Sequence, residues 1–191
     1  MDEVIQPRSI PLQDEENLVR RAQQKDSEAF AQLYEAYFDK IYRYIVMRVR
    51  NEMEAEDMTQ QVFMKMLQSI ASYKAQGFPF SSWIYRIAHN LVVDHLRQQN
   101  KKATVDIEGI PLPDTDGDPQ EMIEQNVDIE DVKKATRKLT QSQQEVLSLR
   151  FAGELSIAEC AAVMGKNEGA IKALQHSAVL ALRKALTVNN L

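Results

Sequence analysis

Residues 78–97 read FPFSSWIYRIAHNLVVDHLR, a run that combines aromatic, amide and basic side chains with a helical repeat of apolar ones. The apolar repeat predicts a helix with one buried face, formed by Ile84, Ile87, Ala88, Leu91 and Leu96. The other face has room for a ligand and carries Tyr85, Arg86, His89, Asn90 and Arg97. Aromatic rings stack on extruded bases, amides pair with base edges and arginines neutralise phosphates, so this face suits single-stranded nucleic acid. Composition alone favours a simpler interpretation, a core helix with the one tryptophan packed inside.

The composition of the chain is that of an ordinary water-soluble protein. Its 191 residues are 44% hydrophobic, enough for one or two small cores. No segment approaches the apolar run that a membrane span needs, and residues 1–7 carry acids and a proline where a secretory signal carries basic residues. We therefore expect a cytoplasmic protein. The single cysteine, Cys160, excludes an internal disulfide and is interpreted as a small buried hydrophobe.

The net charge of −5 is divided unevenly along the chain. Residues 1–100 carry 12 basic and 14 acidic side chains. Residues 101–131 carry 2 basic and 10 acidic ones, and residues 132–191 carry 9 basic and 4 acidic ones. The acidic middle segment contains prolines and a glycine and shows no sustained period, so it is predicted to be a linker. We therefore expect a tail at 1–14, a domain at 15–100, a linker at 101–131 and a second domain at 132–191.

The first domain is predicted to be entirely helical. Asp14 is expected to cap a helix that buries Leu18 and Ala22, and Asp26 or Ser27 to cap the next. The apolar side of that second helix is formed by Phe30, Leu33, Tyr34, Tyr37, Ile41, Tyr44, Ile45 and Val49. A third amphipathic helix buries Met58, Val62, Phe63, Met66, Leu67 and Ile70. Residues 71–79 break this period and predict a loop that leads into the opening helix.

The outer face of the third helix carries carboxylate and amide side chains at a helical spacing. Glu54, Asp57, Gln60 and Gln61 recur at spacings of three and four residues and form a ridge of carboxylates and amides. A solvated face is the default explanation of such a ridge. It also suits a partner surface that is rich in arginine.

The residues after the linker carry start signals for short helices. The candidate capping boxes pair Ser142 with Glu145 and Ser156 with Glu159, and Thr140 with Gln143 competes for the first start. The first helix is expected from about residue 143 to residue 151, to end at Gly153 and to pack through Val146, Leu147 and Leu149. The second stops at Gly165 and presents Ile157, Cys160, Ala161 and Met164. Asn167 caps a third helix that buries Ile171, Leu174 and Ala178.

This pattern predicts a helix-turn-helix. Small residues at 161 and 162 permit two helices to cross closely, which leaves the last helix free to enter a major groove. The residues expected to face DNA are Glu168, Lys172, Ala173, Gln175 and His176. The same pattern also suits a purely structural three-helix unit.

The segments and their order resemble the bacterial sigma-70 family of RNA polymerase sigma factors, in the extracytoplasmic-function class that keeps only regions 2 and 4. The likeness runs from about Glu15 to Leu186. Residues 28–44 resemble the start of region 2, and residues 55–63, AEDMTQQVF, are similar to the segment that binds the core polymerase. Residues 80–90, FSSWIYRIAHN, are similar to the segment that opens and reads the −10 element, and residues 139–186 look like region 4, which reads the −35 element.

The resemblance implies an all-α protein with two small helical domains, which acts as a transcription initiation factor and not as an enzyme. It implies core-polymerase binding by Glu54, Asp57, Gln60 and Gln61. With the chemistry of the opening helix, it implies contacts to the single-stranded −10 element by Tyr73, Lys74, Trp83, Arg86, His89, Asn90 and Arg97. Promoter DNA, the core polymerase and an anti-sigma factor are the implied partners, and no catalytic residue, metal or cofactor is expected. Residues 172–178, KALQHSA, carry fewer cations than the family often places there, which predicts a shallow salt dependence for this domain alone.

Three alternatives remain open at this stage. A free-standing repressor or activator would bind its operator alone and as a dimer, but no heptad seam is evident. An enzyme would need an acid/base pair or a metal site; the acids at 52–57 are too crowded to assign a pair, and His89, His95 and His176 have no metal-ligand pattern around them. A regulator that only mimics a sigma factor would bind polymerase without opening a promoter.

Overall fold

The computed structural model describes residues 12–75, 77–105 and 126–189 of the chain. Within these ranges it forms eight α-helices, which we label in chain order: α1 Leu12–Gln23, α2 Ser27–Val49, α3 Glu52–Ser69, α4 Phe80–Val105, α5 Asn126–Arg137, α6 Gln141–Leu147, α7 Ile157–Met164 and α8 Glu168–Asn189. A 3₁₀ turn at Ile70–Ser72 follows α3, and a π-helical turn at Ser148–Ala152 follows α6. The predicted all-α fold is confirmed.

Helices α1, α3 and α4 pack around α2, whose start is fixed by Asp26. The Asp26 carboxylate accepts hydrogen bonds from the backbone N–H groups of Glu28 at 3.0 Å and Ala29 at 3.2 Å. These bonds satisfy two donors that a helix start leaves unpaired, so Asp26 rather than Ser27 is the cap. The buried face of α2 contains most of the residues predicted for it: Leu33, Tyr37, Ile41, Tyr44, Ile45 and Val49.

One prediction for α1 and one for α3 are wrong. Helix α1 already begins at Leu12, so Asp14 lies in its first turn instead of capping it. Leu67 was predicted to be buried, but its side chain is 53% exposed. Met66 and Ile70 fill the inner face of this part of the chain, and successive helical positions are rotated by about 100°, so the residue after Met66 points outward.

Helix α4 buries more of its circumference than its sequence period predicts. Ile84 and Ala88 are fully buried as expected, and so is Val92, which was not predicted to be buried. Tyr85 was predicted to face a ligand, but it is 1% exposed and its hydroxyl donates to the carbonyl oxygen of Gly153 at 3.1 Å. The second domain covers this side of α4, which a period within one helix does not reveal.

Helices α5 to α8 form the second domain, and the competing start signal decides the beginning of α6. Thr140 and Gln143 form the capping box, with the backbone N–H of Gln143 donating to the threonine hydroxyl oxygen at 3.3 Å. The Ser142–Glu145 box therefore does not form, and the Glu145 carboxylate is free for other contacts. Helix α6 ends at Leu147, and the chain continues as the π-helical turn instead of running helically to residue 151.

The turn between α7 and α8 forms as predicted. Ser156 and Glu159 make a capping box at the start of α7, which ends at Gly165 with the backbone in the left-handed region at φ 62°. Asn167 accepts a hydrogen bond from the backbone N–H of Ala170 at 2.8 Å and so caps α8. Ile171 and Ala178 are buried and Leu174 is partly buried. The two helices therefore have the predicted helix-turn-helix arrangement.

The two domains are in contact. Helix α4 packs on α7, and α2 packs on the π-helical turn. Gly153 is required at this contact, because a Cβ there would lie 2.8 Å from the carbonyl oxygen of Leu149 and 2.9 Å from the ring of Tyr85. Helices α4 and α5 extend into the two ends of the predicted linker, and residues 106–125 of that linker lie outside the described residues.

The buried Cys160 provides a test of this packing. Burial raises the pKa of its thiol to about 12, so almost no thiolate is present at pH 8. We expect an aromatic disulfide reagent at pH 8 to modify the native chain at least about a hundredfold more slowly than the urea-unfolded chain. Rapid modification of the native chain would contradict the packing around α7, and a Cys160→Ser variant supplies the zero-rate baseline.

Candidate functional site

The polar ridge of α3 lies on the surface as the sequence predicts. Asp57, Gln60 and Gln61 are exposed. Glu54 differs, because its carboxylate is 40% exposed and lies 3.3 Å from Nε2 of His95 on α4. Asp57, Gln60 and Gln61 therefore face outward, while Glu54 also links α3 to α4.

The same face of α3 carries apolar side chains that the sequence analysis did not assign to a site. Met53 is 76% exposed, Met64 56% and Leu67 53%. Together with the ridge they form a mixed polar and apolar helix face, which we call the α3 face: Met53, Asp57, Gln60, Gln61, Met64 and Leu67. Exposed apolar residues flanked by polar ones are typical of an interaction surface.

Three aromatic rings pack together where the loop after α3 meets the start of α4. The ring centroids of Tyr73 and Trp83 are 4.9 Å apart, and that of Phe80 lies 5.4 Å from Tyr73 and 5.3 Å from Trp83. The loop is held from α1, because the side-chain amide of Gln23 donates to the carbonyl oxygens of Ile70 at 3.2 Å and Tyr73 at 2.7 Å. The rings are therefore in place before any ligand binds.

Two of these rings, Tyr73 and Trp83, border an open cavity of about 300 Å³, which we call the aromatic pocket. It is lined by Ser72, Tyr73, Lys74, Phe78, Pro79, Ser82, Trp83 and Arg86. Ser82 is 2% exposed, and its hydroxyl oxygen has no hydrogen-bond partner within the described residues. A buried hydroxyl without a partner is costly, so a ligand that bonds to it would recover that free energy.

The chemistry of the aromatic pocket suits a nucleobase with its phosphate. Tyr73 and Trp83 supply partly exposed aromatic faces, and Lys74 supplies an exposed cation. Arg86 supplies a second cation, whose guanidinium also donates a hydrogen bond to the carbonyl oxygen of Ala162 at 2.8 Å. Burial, followed by the nearby Glu15 carboxylate, raises the pKa of Tyr73, so its hydroxyl remains a neutral donor at physiological pH. Stacking faces beside fixed cations are how proteins hold single strands.

The other residues predicted for the −10 element lie farther along α4. Arg97 is fourteen positions beyond Trp83, roughly 21 Å along the axis at 1.5 Å per residue. Asn90 and Arg97 are exposed, and Arg97 lies 3.8 Å from Asp94. His89 is instead 2.9 Å from Glu145 of the second domain. The structure therefore brings Tyr73, Lys74, Trp83 and Arg86 into one pocket and leaves His89, Asn90 and Arg97 outside it.

The predicted DNA face of α8 is on the surface. Glu168, Lys172, Ala173 and His176 are exposed, and Gln175 is partly exposed. Lys172 lies 3.9 Å from Glu168 one turn earlier, and Gln175 accepts a hydrogen bond from the Arg150 guanidinium at 3.2 Å. Arg150 was not predicted as part of this face, because only the fold brings the π-helical turn next to α8.

Within the described residues, no group of His, Cys, Asp and Glu side chains is arranged to hold a metal ion. No helix in the same ranges combines the length and the apolar run that crossing a bilayer needs.

Both domains match profiles of the same protein family. The family profile for sigma-70 region 2 matches residues 33–102, and that for sigma-70 region 4 matches residues 136–184. The chain is 40% identical over 170 residues to the ECF RNA polymerase sigma factor BldN of Streptomyces coelicolor, covering 88% of this chain and 64% of that protein. It is 29% identical over 177 residues to the ECF RNA polymerase sigma factor SigW of Bacillus subtilis, covering 88% of this chain and 94% of that one.

A solved structure has the same fold at lower identity. It is the sigma factor RpoE in complex with the anti-sigma factor NepR from Bartonella quintana, with a TM-score of 0.66 and 22% identity. The match covers 83% of this chain and 97% of that one.

Proposed function

Because this chain belongs to the extracytoplasmic-function class of the sigma-70 family, we propose that it is a transcription initiation factor that binds core RNA polymerase, directs it to promoters through their −10 and −35 elements and promotes DNA opening. The observation that carries the proposal is the order of two different sites on one all-helical chain. An aromatic pocket that suits an unpaired base precedes a helix-turn-helix with an exposed second helix. A factor that locates a promoter and also opens its duplex needs both sites.

We assign −10 recognition and core binding to residues 15–100, −35 recognition to residues 132–191 and the connection to residues 101–131. The chain acts by binding and carries out no reaction of its own, and it requires no cofactor. Its place of action is the bacterial cytoplasm, at the nucleoid when it is part of the holoenzyme. These assignments rest on family membership and on the chemistry of the two sites.

Opening of the promoter duplex begins at the aromatic pocket. A base that leaves the duplex loses stacking and pairing worth a few kcal/mol. Stacking on Trp83 or Tyr73 returns about 1–3 kcal/mol per base, and the Ser82 hydroxyl adds a hydrogen bond to a base edge. Lys74 and Arg86 neutralise the phosphates on either side. His89, Asn90 and Arg97 extend this track to neighbouring nucleotides of the same strand.

We assign binding of the core polymerase to the α3 face. Asp57, Gln60 and Gln61, with Glu54 at the edge, offer acceptors for the guanidinium groups of a basic partner helix. Met53, Met64 and Leu67 supply the apolar area that an interface core needs. A helix face that combines both kinds of contact suits a helical partner on the polymerase.

An anti-sigma factor is proposed as a further partner. The Bartonella quintana relative is solved with one, the anti-sigma factor NepR. Such a partner would keep this chain from polymerase until a signal releases it.

Replacing Lys172 and Gln175 together by alanine is expected to reduce transcription from a promoter that depends on its −35 element by about five- to tenfold, because base contacts from the first turns of α8 would be lost. Transcript yield is compared on templates with an intact and a scrambled −35 element. Lys184→Ala removes a charge from the exposed end of the same helix and serves as the control. An equal loss on both templates would mean that these residues do not read bases.

The proposed function is tested by multi-round transcription with sigma-free bacterial core polymerase on fragmented genomic DNA, with and without this protein. New start sites that depend on the protein, with a shared upstream sequence, are the expected result. Polymerase binding without new start sites would favour a sigma mimic. Tight sequence-specific binding to duplex DNA without polymerase would favour a free-standing regulator.

A further inference from the structure

A second cavity lies on the α1 side of the loop that borders the aromatic pocket. It measures about 660 Å³, and we call it the α1 pocket. Helix α1 supplies one side of it, with Glu15, Glu16, Val19, Arg20 and Gln23, and residues between 73 and 80 supply the other. Among the residues assigned above to the −10 element, only Tyr73 lines it. The region 2 profile begins at residue 33, so α1 also lies outside the family match.

The α1 pocket and the aromatic pocket share a wall. Tyr73, Phe78 and Pro79 belong to the lining of both cavities. Phe78 is 44% exposed, although large apolar side chains are usually buried. A single strand with one base in the aromatic pocket therefore has its neighbouring nucleotide at this wall, beside an exposed aromatic ring.

The walls of the α1 pocket are in place before a ligand binds. The side-chain amide of Gln23 holds the loop to α1 through the carbonyl oxygens of Ile70 and Tyr73. Phe80 is 3% exposed, and its ring centroid lies 5.4 Å from that of Tyr73 and 5.7 Å from that of Tyr37 in edge-to-face contacts. A preformed, largely apolar cavity with a few polar groups is typical of a ligand site.

Three charged side chains complete the α1 pocket. Glu16 and Arg20 are exposed and lie one turn apart, so the same side of α1 carries a carboxylate and a cation. Within the described residues neither forms a salt bridge, so both are available to a ligand. Glu15 is 8% exposed, and its carboxylate accepts a hydrogen bond from the Tyr37 hydroxyl. Burial raises the pKa of Glu15, which favours its neutral form, so Glu16 is the stronger anion of the two.

These groups match a nucleotide whose base edge carries hydrogen-bond donors. Phe78 and Tyr73 offer rings for stacking, and Arg20 offers a cation for a phosphate. The Glu16 carboxylate accepts hydrogen bonds and donates none. Guanine presents two adjacent donors on its Watson–Crick edge, N1–H and the 2-amino group, whereas thymine presents one donor between two carbonyl oxygens that a carboxylate repels. The pocket therefore favours guanine and disfavours thymine.

We propose that the α1 pocket is a second base subsite, which takes the nucleotide next to the one in the aromatic pocket and selects guanine there. Glu16 determines this specificity by accepting hydrogen bonds from the base edge, and Arg20 contacts the phosphate. The inference rests on the proposed function, because a strand reaches the pocket only after the promoter duplex opens.

A free guanine nucleotide carries the same chemical groups as a guanine within a strand. The wall shared with the aromatic pocket favours the strand, because two neighbouring nucleotides fill both cavities at once. Titration of the free chain with guanosine monophosphate, followed by calorimetry, distinguishes the two sources. We expect no binding tighter than about 1 mM. Tighter binding that Glu16→Gln weakens would assign the pocket to a soluble nucleotide and overturn the strand subsite.

Base substitution along the exposed strand tests the subsite in the holoenzyme. Each position of a single-stranded −10 element is made with each of the four bases, and the position at the aromatic pocket is the one where an abasic nucleotide removes the effect of Trp83→Ala. At a position next to it, guanine is expected to bind at least about fivefold more tightly than thymine. Glu16→Gln is expected to reduce this ratio to about twofold or less, and to leave the ratios at other positions unchanged.

Asp14→Asn is the matched control for Glu16→Gln. Asp14 is an exposed acid two positions earlier on α1, about 200° around the axis and outside the lining of the pocket, so the variant removes the same charge elsewhere. Arg20→Ala is expected to weaken binding by a similar factor for all four bases, because a phosphate contact carries no base information. A guanine preference that survives Glu16→Gln, or one that Asp14→Asn removes equally, would overturn the subsite.

Failure of the proposed function gives a different result in the same experiment. If the holoenzyme binds the exposed strand with none of the bases, the −10 assignment fails and the subsite fails with it. If the holoenzyme binds and its affinity depends on Trp83, but no position shows a guanine preference that depends on Glu16, the α1 pocket alone is excluded as a base subsite.

Discussion

Removing the Asp57 carboxylate and the Gln61 amide together by alanine substitution is expected to weaken association with core polymerase by about ten- to a hundredfold. The two residues lie one turn apart in the middle of the α3 face, between Met53 and Met64. Polar groups at the centre of an interface contribute most, since neighbouring contacts exclude water from them. Both side chains are exposed in the free chain, so the substitutions should leave its stability almost unchanged.

Glu35→Ala is the matched control for this prediction. Glu35 is exposed and carries the same charge as Asp57, but it lies on α2 and outside the α3 face. Affinity is measured by titrating labelled protein with core polymerase, and thermal unfolding is followed by circular dichroism. If Glu35→Ala weakened binding as much as the double variant, net charge rather than a specific face would account for polymerase association.

Local features of the fold were predictable because local chemistry decides them. Asp26, Ser156, Gly165 and Asn167 act at helix ends, where one side chain satisfies backbone groups a few residues away. A scan of the sequence detects such short-range pairs. The helix-turn-helix followed from these signals, whereas the resemblance to the family rested on the segments at residues 55–63, 80–90 and 139–186 and on their order.

The contact between the domains was not predictable in the same way. Tyr44 and Glu145 are 101 positions apart, and neither the period of α2 nor that of α6 indicates the partner of the other. Glu145 also fitted a capping box with Ser142, an interpretation that local rules favoured and that the Thr140 box displaced. Tyr85 was assigned to a ligand face for the same reason, because the domain that buries it is distant in sequence.

The side chains of the candidate site were predicted from the sequence, but only part of their arrangement was. The sequence indicated that Trp83, Arg86 and Tyr73 would serve nucleic acid, and the fold places them around one cavity. Ser82 was not assigned to the site, since a serine inside an apolar run gives no sign that its hydroxyl is buried without a partner. The apolar half of the α3 face was likewise missed, because Leu67 was counted as core.

Replacing Trp83 by alanine is expected to reduce binding of the holoenzyme to a promoter whose −10 element is already single-stranded by roughly five- to a hundredfold, the loss of one base-stacking contact. The indole packs 4.9 Å from the Tyr73 ring and borders the aromatic pocket, so its removal takes away one wall against which a base would stack. Trp83→Phe keeps an aromatic face at the same position and should retain most of the binding.

The comparison with Trp83→Phe separates recognition from folding. Trp83 is partly buried against Phe80, and alanine there also lowers the free energy of unfolding. Binding is therefore measured well below the unfolding midpoint of each variant, on a duplex promoter and on one with an exposed non-template strand. A stacking role predicts a loss that is largest on the exposed strand and is restored by phenylalanine. An equal loss on both templates, or a loss that follows the unfolding midpoint, would assign Trp83 to the fold alone. In that case no base stacks on Trp83 in the pocket, because a stacked base would make the loss larger on the exposed strand.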